Sequence, residues 1–235
     1  MTDLSFPFKG FGEKALPFFR ALDFHQERAW FQENRALYDS DIYDPLCAFI
    51  TAMSETCAAR GLPLRGSPKG SIFRIYRDVR FAKDKRPFKT HAGAVLTRTG
   101  AKNDNGLFYI HISPEGCFCA AGFYDLDPAK LSAFRQAILT SPAKYKALLA
   151  ALAGSDLGFD PQWSLKRPPR EAAGLNDEVL VAGLKLKSFV TKQAIADERI
   201  RSAGLVDDCV GFIEANLPLL DFGWNILASL EPERG

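Results

Sequence analysis

Between Leu107 and Phe123 the chain counts in twos. Phe108, Ile110 and Ile112 alternate with Tyr109 and His111; Ser113–Pro114–Glu115–Gly116 follows, and Cys117–Phe123 is again short and apolar. Successive side chains of an extended chain point to opposite faces, so this spacing gives one apolar face and one polar face. The Pro- and Gly-bearing turn joins the two runs as neighbours in an antiparallel meander with one face buried. Two further short runs, Ser71–Phe81 and Ala94–Thr97, read as strands of the same sheet.

The flanking chain counts by helical turns. Leu16, Phe19 and Leu22 are so spaced within Glu13–Leu22, and a second helix starting at Asp23 or His25 carries Trp30, Phe31, Leu37 and Tyr38. Asp41–Arg60 places Ile42, Leu46, Phe49, Ile50 and Met53 on one face, and Gly61 with Pro63 stops it. After the strands, Asp127–Pro128 is an N-cap followed by proline at the first helical position, ahead of Leu131, Phe134, Ile138 and Leu139. Ser141–Pro142 repeats that signal for Ala143–Ala153. Pro161–Arg170 reads as a loop broken at Pro168–Pro169, Leu184–Thr191 as a late strand, and Leu205–Ala228 as a final helix bent at Pro218. Helices, then strands, then helices again predict an α+β fold: one domain over residues 1–235, with a central, mainly antiparallel sheet and helices from both ends of the chain packed on it.

One stretch stands apart chemically. Phe73–His91, FRIYRDVRFAKDKRPFKTH, holds seven basic residues against two acids and carries a formal +5, while the whole chain carries +2. The positive charge is therefore local, and attraction of nucleic acid by the charge of the whole molecule is not expected. Read as extended, Arg74, Tyr76, Asp78 and Arg80 share one face; Phe73, Ile75, Val79 and Phe81 share the other, where Arg77 interrupts the pattern. Arginine forks bind carboxylate or phosphate through two bonds at once, a tyrosine hydroxyl adds a donor, and lysines add point charges. Arg74, Tyr76, Arg77, Arg80, Lys85 and Lys89 are thus candidate ligand-binding residues. Asp78 and His111 are candidate general bases. The competing reading pairs the arginines with Asp78 and other acids as structure.

This stretch resembles the signature of an uncharacterised conserved-hypothetical family, domain-of-unknown-function family 2461. AWFQENRALYD (Ala29–Asp39), CAAGFYDLDPAKL (Cys119–Leu131) and LKRPPREAAGLNDEVLVAGLKLKSF (Leu165–Phe189) agree with it in order, so the resemblance covers most of the chain. It implies that Arg74, Arg77, Asp78, Arg80, Phe81, Asp84, Lys85, Pro87 and Lys89 are hallmark positions. Phe88 stands where the family often shows Tyr, and Glu171–Ala173 departs from its pattern. The resemblance implies no activity.

The remaining candidates are fewer. His25 reads as a helix-start histidine, His91 closes the basic stretch, and His111 is either an acid–base group or a hydrogen-bonded sheet histidine. Cys117 and Cys119 share a strand face, but no second pair completes a zinc site, and neither a Rossmann nor a P-loop glycine motif occurs. No cofactor and no metal are expected. Arg35 and Tyr38 lie one helical turn apart; Lys166, Arg167 and Arg170, with Lys185 and Lys187, form a second basic group. Five cysteines, an odd number without C-x-x-C, and a start, MTDLSFPFKGFGEK, without a leader pattern point to a cytoplasmic protein with free thiols. No run approaches ~20 apolar residues, so no membrane partner is expected. Three functions follow: binding of a small anionic ligand, phosphorylated ones included, with or without a reaction; a nucleic-acid-binding module using the basic-aromatic surface, with Phe81 or Phe88 exposed for stacking; or a non-catalytic interaction protein whose arginines are structural. Oligomeric state carries no signal.

Overall fold

A computed structural model describes residues 7–230; Met1–Phe6, the first part of the segment read for a leader, lie outside them. The alternating segment forms the sheet as predicted. Strands β1 (Ala92–Thr97), β2 (Leu107–Ile112), β3 (Cys117–Phe123) and β4 (Phe189–Ile195) make a four-stranded antiparallel sheet in the order β1-β2-β3-β4. Gly116 N–H donates to the Ser113 carbonyl at 3.1 Å and closes the β2–β3 turn. Helices α1 (Ala15–Phe24), α2 (Arg28–Glu33), α3 (Arg35–Tyr38), α4 (Asp44–Ala59) and α5 (Pro68–Ser71) precede the sheet. Between β3 and β4 lie α6 (Pro128–Thr140), α7 (Pro142–Ala153) and α8 (Glu178–Lys185); α9 (Asp197–Ile200) and α10 (Leu205–Ala228) follow. The fold is α+β. Among the described residues no helix is long and apolar enough to cross a membrane.

The chain divides into two compact units. The first comprises the described chain to Asp104, Phe108–Cys119 and Ala194–Gly211. Its core is aromatic: Phe18, Phe19, Phe31, Phe49 and Phe108 are buried, along with every residue of β1. The second comprises Asn105–Leu107, Ala120–Gln193 and the chain from Phe212. There Phe134 packs on Phe123 (5.1 Å between ring centroids) and on Phe189 (4.7 Å), with Tyr145, Leu148 and Leu219 buried. Thr191 and Asn216 form a deeply buried polar pair there: the Thr191 hydroxyl donates to Asn216 Oδ1 at 2.5 Å, and the Asn216 amide donates to the Phe212 carbonyl at 2.8 Å.

Three sequence expectations are corrected. Ser71–Phe81 is not a strand: Ser71 ends α5, and only Ile72 and Tyr76 make isolated bridges, to Ala94 and Phe88. Asp23 and His25 do not start α2; Asp23 lies within α1 and His25 follows it. Leu184 and Lys185 end α8 rather than begin a strand, because Asp177 caps that helix, accepting from the Val179 and Leu180 N–H groups. The Ser141–Pro142 start holds: α7 begins at Pro142 with Ser141 at its N-cap position, although Ser141 makes no side-chain cap bond, whereas Asp127 caps α6 by accepting from Lys130 N–H at 3.0 Å.

Candidate anion site

The basic stretch begins as a strap along β1. Phe73 N–H donates to the Gly93 carbonyl at 3.0 Å, Lys89 N–H to Ile75 and Arg77 N–H to Pro87, each at 2.8 Å. The Tyr76–Phe88 bridge closes the base of an arm spanning residues 78–86. That base is fixed by the core: the Phe88 ring stacks on Phe31 at 4.6 Å, and Gln26 Oε1 accepts the Phe88 N–H at 3.1 Å. Tyr76 leans on Phe88 at 5.2 Å. Beyond the base, side chains replace the strand ladder. Asp78 Oδ1 accepts from Arg80 N–H (3.2 Å), Asp84 Oδ1 from Arg86 N–H (3.0 Å), and Lys85 Nζ donates to the Val79 carbonyl (3.0 Å). Short polar side chains offering local bonds of this kind compete with sheet pairing, which is why the predicted strand is irregular.

Within the arm, cations and acids neutralise one another. Arg80 grips both oxygens of Asp78, at 3.0 and 2.7 Å. Asp84 accepts from Arg77 at 2.7 Å and Arg86 at 2.9 Å, and Arg86 reaches on to Asp23 at 2.7 Å. The Arg77 bond, then those from Arg86, hold the Asp84 carboxyl well below the usual carboxylate range; Arg80 lowers Asp78 in the same direction. Asp78 is therefore a weak base at neutral pH. At the tip Phe81 is 96% exposed, with the Arg80 guanidinium 5.9 Å from its ring centroid, while Phe88 is 2% exposed.

A second group of cations lies at the strap and sheet rather than on the arm. Lys89 Nζ is 5.5 Å and Lys102 Nζ 5.6 Å from the centroid of the same Phe73 ring. Lys102 also donates to the Ile72 carbonyl. It is held there by the β1–β2 turn, where the Thr97 hydroxyl accepts from Gly100 N–H (2.9 Å) and donates to the Ala101 carbonyl (3.0 Å). Lys89 is half-buried; burial pushes its pKa down, and the positive charges of Arg74 and Lys102 push it further. Among the described residues none of Arg74, Lys89 and Lys102 forms a salt bridge.

Beside this group one face of the sheet carries the alternating, half-buried residues of β2. Tyr109 and His111 share a hydrogen bond, hydroxyl to Nδ1, at 2.9 Å. The His111 ring lies against Phe118 on one hand (4.6 Å between centroids) and His91 on the other (4.5 Å). Tyr109 packs edge-on to Phe73 at 6.2 Å. Gly93 leaves room for the Tyr109 hydroxyl, which would stand 2.7 Å from any Cβ at that position. Burial and then Lys89 lower the His91 pKa, with Glu115 opposing them.

The six predicted binding residues thus part company. Arg77, Arg80 and Lys85 are engaged within the arm, Tyr76 supports its base, and Arg74 and Lys89 join Lys102. His111 is hydrogen-bonded in the sheet and adjoins His91. Lys102 escaped the sequence reading: it is thirty positions from Ile72, in a turn of ordinary composition, and only the β1 pairing brings it back. Of the other candidates, His25 stacks on Trp30 at 5.2 Å, and Arg35 pairs with Asp39 at 2.8 Å while Tyr38 is buried. Cys117 and Cys119 are buried, and Cys119 hydrogen-bonds Cys209. In the second unit Lys166, Arg167, Arg170 and Lys187 are exposed and Lys185 is half-buried.

Comparison with curated proteins and with solved structures finds no match. The family described as "Conserved hypothetical protein (DUF2461)" matches residues 14–222, which include the strap, the arm and the β1–β3 face. The chain belongs to this conserved-hypothetical family.

Proposed function

We propose that the first unit binds a small anionic ligand, phosphate-bearing ligands foremost, at Arg74, Lys89 and Lys102. The observation that carries this reading is the pair of lysines on one Phe73 ring, next to Arg74, with no carboxylate paired to any of the three among the described residues. Like charges crowded and partly desolvated repel, and an anion relieves that repulsion. The arm differs because its arginines already hold Asp78, Asp84 and Asp23. Titration calorimetry with inorganic phosphate is expected to show binding that Lys89→Ala weakens tenfold or more, as loss of a charge-assisted bond worth roughly 1.5–3 kcal/mol requires. Arg80→Ala is expected to leave it unchanged. Equal affinity in the wild type and in Lys89→Ala combined with Lys102→Ala sinks the reading.

One observation favours a second reading, a single-stranded nucleic-acid module. Phe81 is almost wholly exposed at a basic tip beside Arg80, the setting in which aromatics stack on bases.

A further inference from the structure

The basic group of the second unit lies outside the anion site, and the fold assembles it around one short ladder. Residues 163–165 run antiparallel to residues 185–187: Leu165 N–H donates to the Lys185 carbonyl at 2.7 Å, Lys187 N–H donates to the Trp163 carbonyl at 2.8 Å, and Ser164 bridges Leu186. Trp163 thus lies beside Lys187, and Leu165 beside Lys185. Leu186 is buried, Lys187 exposed and Lys185 half-buried, so the lysines turn away from the side on which Leu186 packs. Lys166 and Arg167, both exposed, follow Leu165 directly. Tyr124, just past β3, brings a second aromatic: it is 53% exposed, and its ring stands 5.0 Å from that of Trp163, at 83° to it. Its turn is held in place. Asp125 has a positive φ of +50°, and the buried Ser188 hydroxyl accepts the Asp125 N–H at 3.0 Å.

These side chains give an apolar centre, Tyr124, Trp163 and Leu165, bordered by cations, which is the anatomy of a protein–protein contact patch. Tyrosine and tryptophan held at such a centre carry much of the binding energy. The border is electrically one-sided. Among the described residues none of Lys166, Arg167, Lys185 and Lys187 forms a salt bridge. Of the nearby acids, Asp125 is exposed, and the Asp160 carboxylate accepts from the Gln162 N–H at 3.0 Å and from its side-chain amide at 2.6 Å. The Trp163 indole N–H has no acceptor among the described residues and is open to solvent. Ammonium, guanidinium and indole groups only donate, and carboxylates only accept. We propose that this face of the second unit docks an extended acidic segment of a partner protein, in which a proline or an aliphatic residue stands between Asp or Glu residues. The apolar residue enters the corner made by the perpendicular Tyr124 and Trp163 rings, and the acids meet the cationic border. A corner offers two walls to one compact group, whereas the successive bases of a nucleic acid stack on ring faces set in series. The face shares no residue with the anion site, whose Arg74, Lys89 and Lys102 all belong to the first unit.

A phage library of short random peptides, panned on the full chain, tests this. The selected peptides are expected to carry Asp or Glu on both sides of a proline or an aliphatic residue. Fluorescence anisotropy of the best of them, labelled, is expected to give a Kd that Tyr124→Ala raises about tenfold or more, as truncation of a central aromatic does. Tyr124→Phe, which keeps the ring, is expected to retain binding. Arg167→Glu combined with Lys187→Glu is expected to abolish it, and the same peptide with its acids replaced by lysine is expected to bind that double variant and not the wild type. Lys89→Ala combined with Lys102→Ala is expected to change nothing. A library that enriches no acidic sequence overturns the proposal, and so does an acidic peptide bound equally by the wild type, Tyr124→Ala and the double glutamate variant. A peptide lost instead with Lys89 and Lys102 belongs to the anion site and also overturns it. A labelled oligothymidylate that binds more tightly than the best peptide and is weakened by Tyr124→Ala overturns it in favour of nucleic acid. Thermal unfolding unchanged in Tyr124→Ala and in the double glutamate variant shows that the losses are of contact and not of folding.

Discussion

At the scale of single residues, the basic stretch divides by what each side chain finds in the folded chain. The alternation of Arg74, Tyr76, Asp78 and Arg80 outward against Ile75 inward survives in exposure, although the segment is no regular strand. Partner choice was not legible: nothing in the order of residues tells Arg77 to hold Asp84 or Arg86 to reach Asp23. Exposed pairs of this kind add little stability, so their effect is to order the arm. The carboxylates of Asp78 and Asp84 sit below their ordinary pKa because arginines and amides bond them. A depressed pKa gives a contribution that is present above the unfolded value, about 3.9, and lost as pH falls through the lower folded value. Hydrogen exchange of the Arg80 and Arg86 amides is therefore expected to stay slow down to about pH 4 and to rise only below it. Asp84→Ala, which removes the accepting oxygen, is expected to release the Arg86 amide at neutral pH. An arm that loosens between pH 7 and pH 5 contradicts this account.

At the scale of elements, local signals worked where one pattern acted alone. The β2–β3 hairpin was legible from alternation and its turn, and α6 from Asp127–Pro128. The N-terminal limit of α8 was written in the sequence as Asp177–Glu178 but was overshadowed by the apolar run that follows. Glycines carry requirements that no pattern reveals. Gly122 in β3 has φ +129°, and a Cβ there would lie 2.0 Å from the Phe189 carbonyl carbon's oxygen. Gly122→Ala is expected to cost about 2–5 kcal/mol, from backbone strain plus overpacking, measured by urea denaturation. A loss within about 0.5 kcal/mol, the range of an ordinary surface change, would contradict that contact.

At the scale of the whole molecule, charge separates the two functional readings. A net +2 gives little long-range attraction, so any nucleic-acid affinity must come from the arm itself. Fluorescence anisotropy with a single-stranded oligonucleotide tests it. The anion-site reading expects no appreciable affinity at about 150 mM salt. A binding constant that falls steeply with salt and drops on Phe81→Ala, by the roughly 1–3 kcal/mol of one lost stacking contact, transfers the function to the arm. By itself the sequence determined the α+β class, the hairpin, the concentration of positive charge in one stretch and the family, because periodicity, turn chemistry and local composition are properties of neighbours along the chain. Only the tertiary structure decided which cations of the stretch pair with carboxylates among the described residues. Pairing across β1 carries Lys102 back beside Phe73 and Lys89, and the β1–β2 pairing brings His91 to His111, contacts set by strand register rather than by any spacing in the sequence.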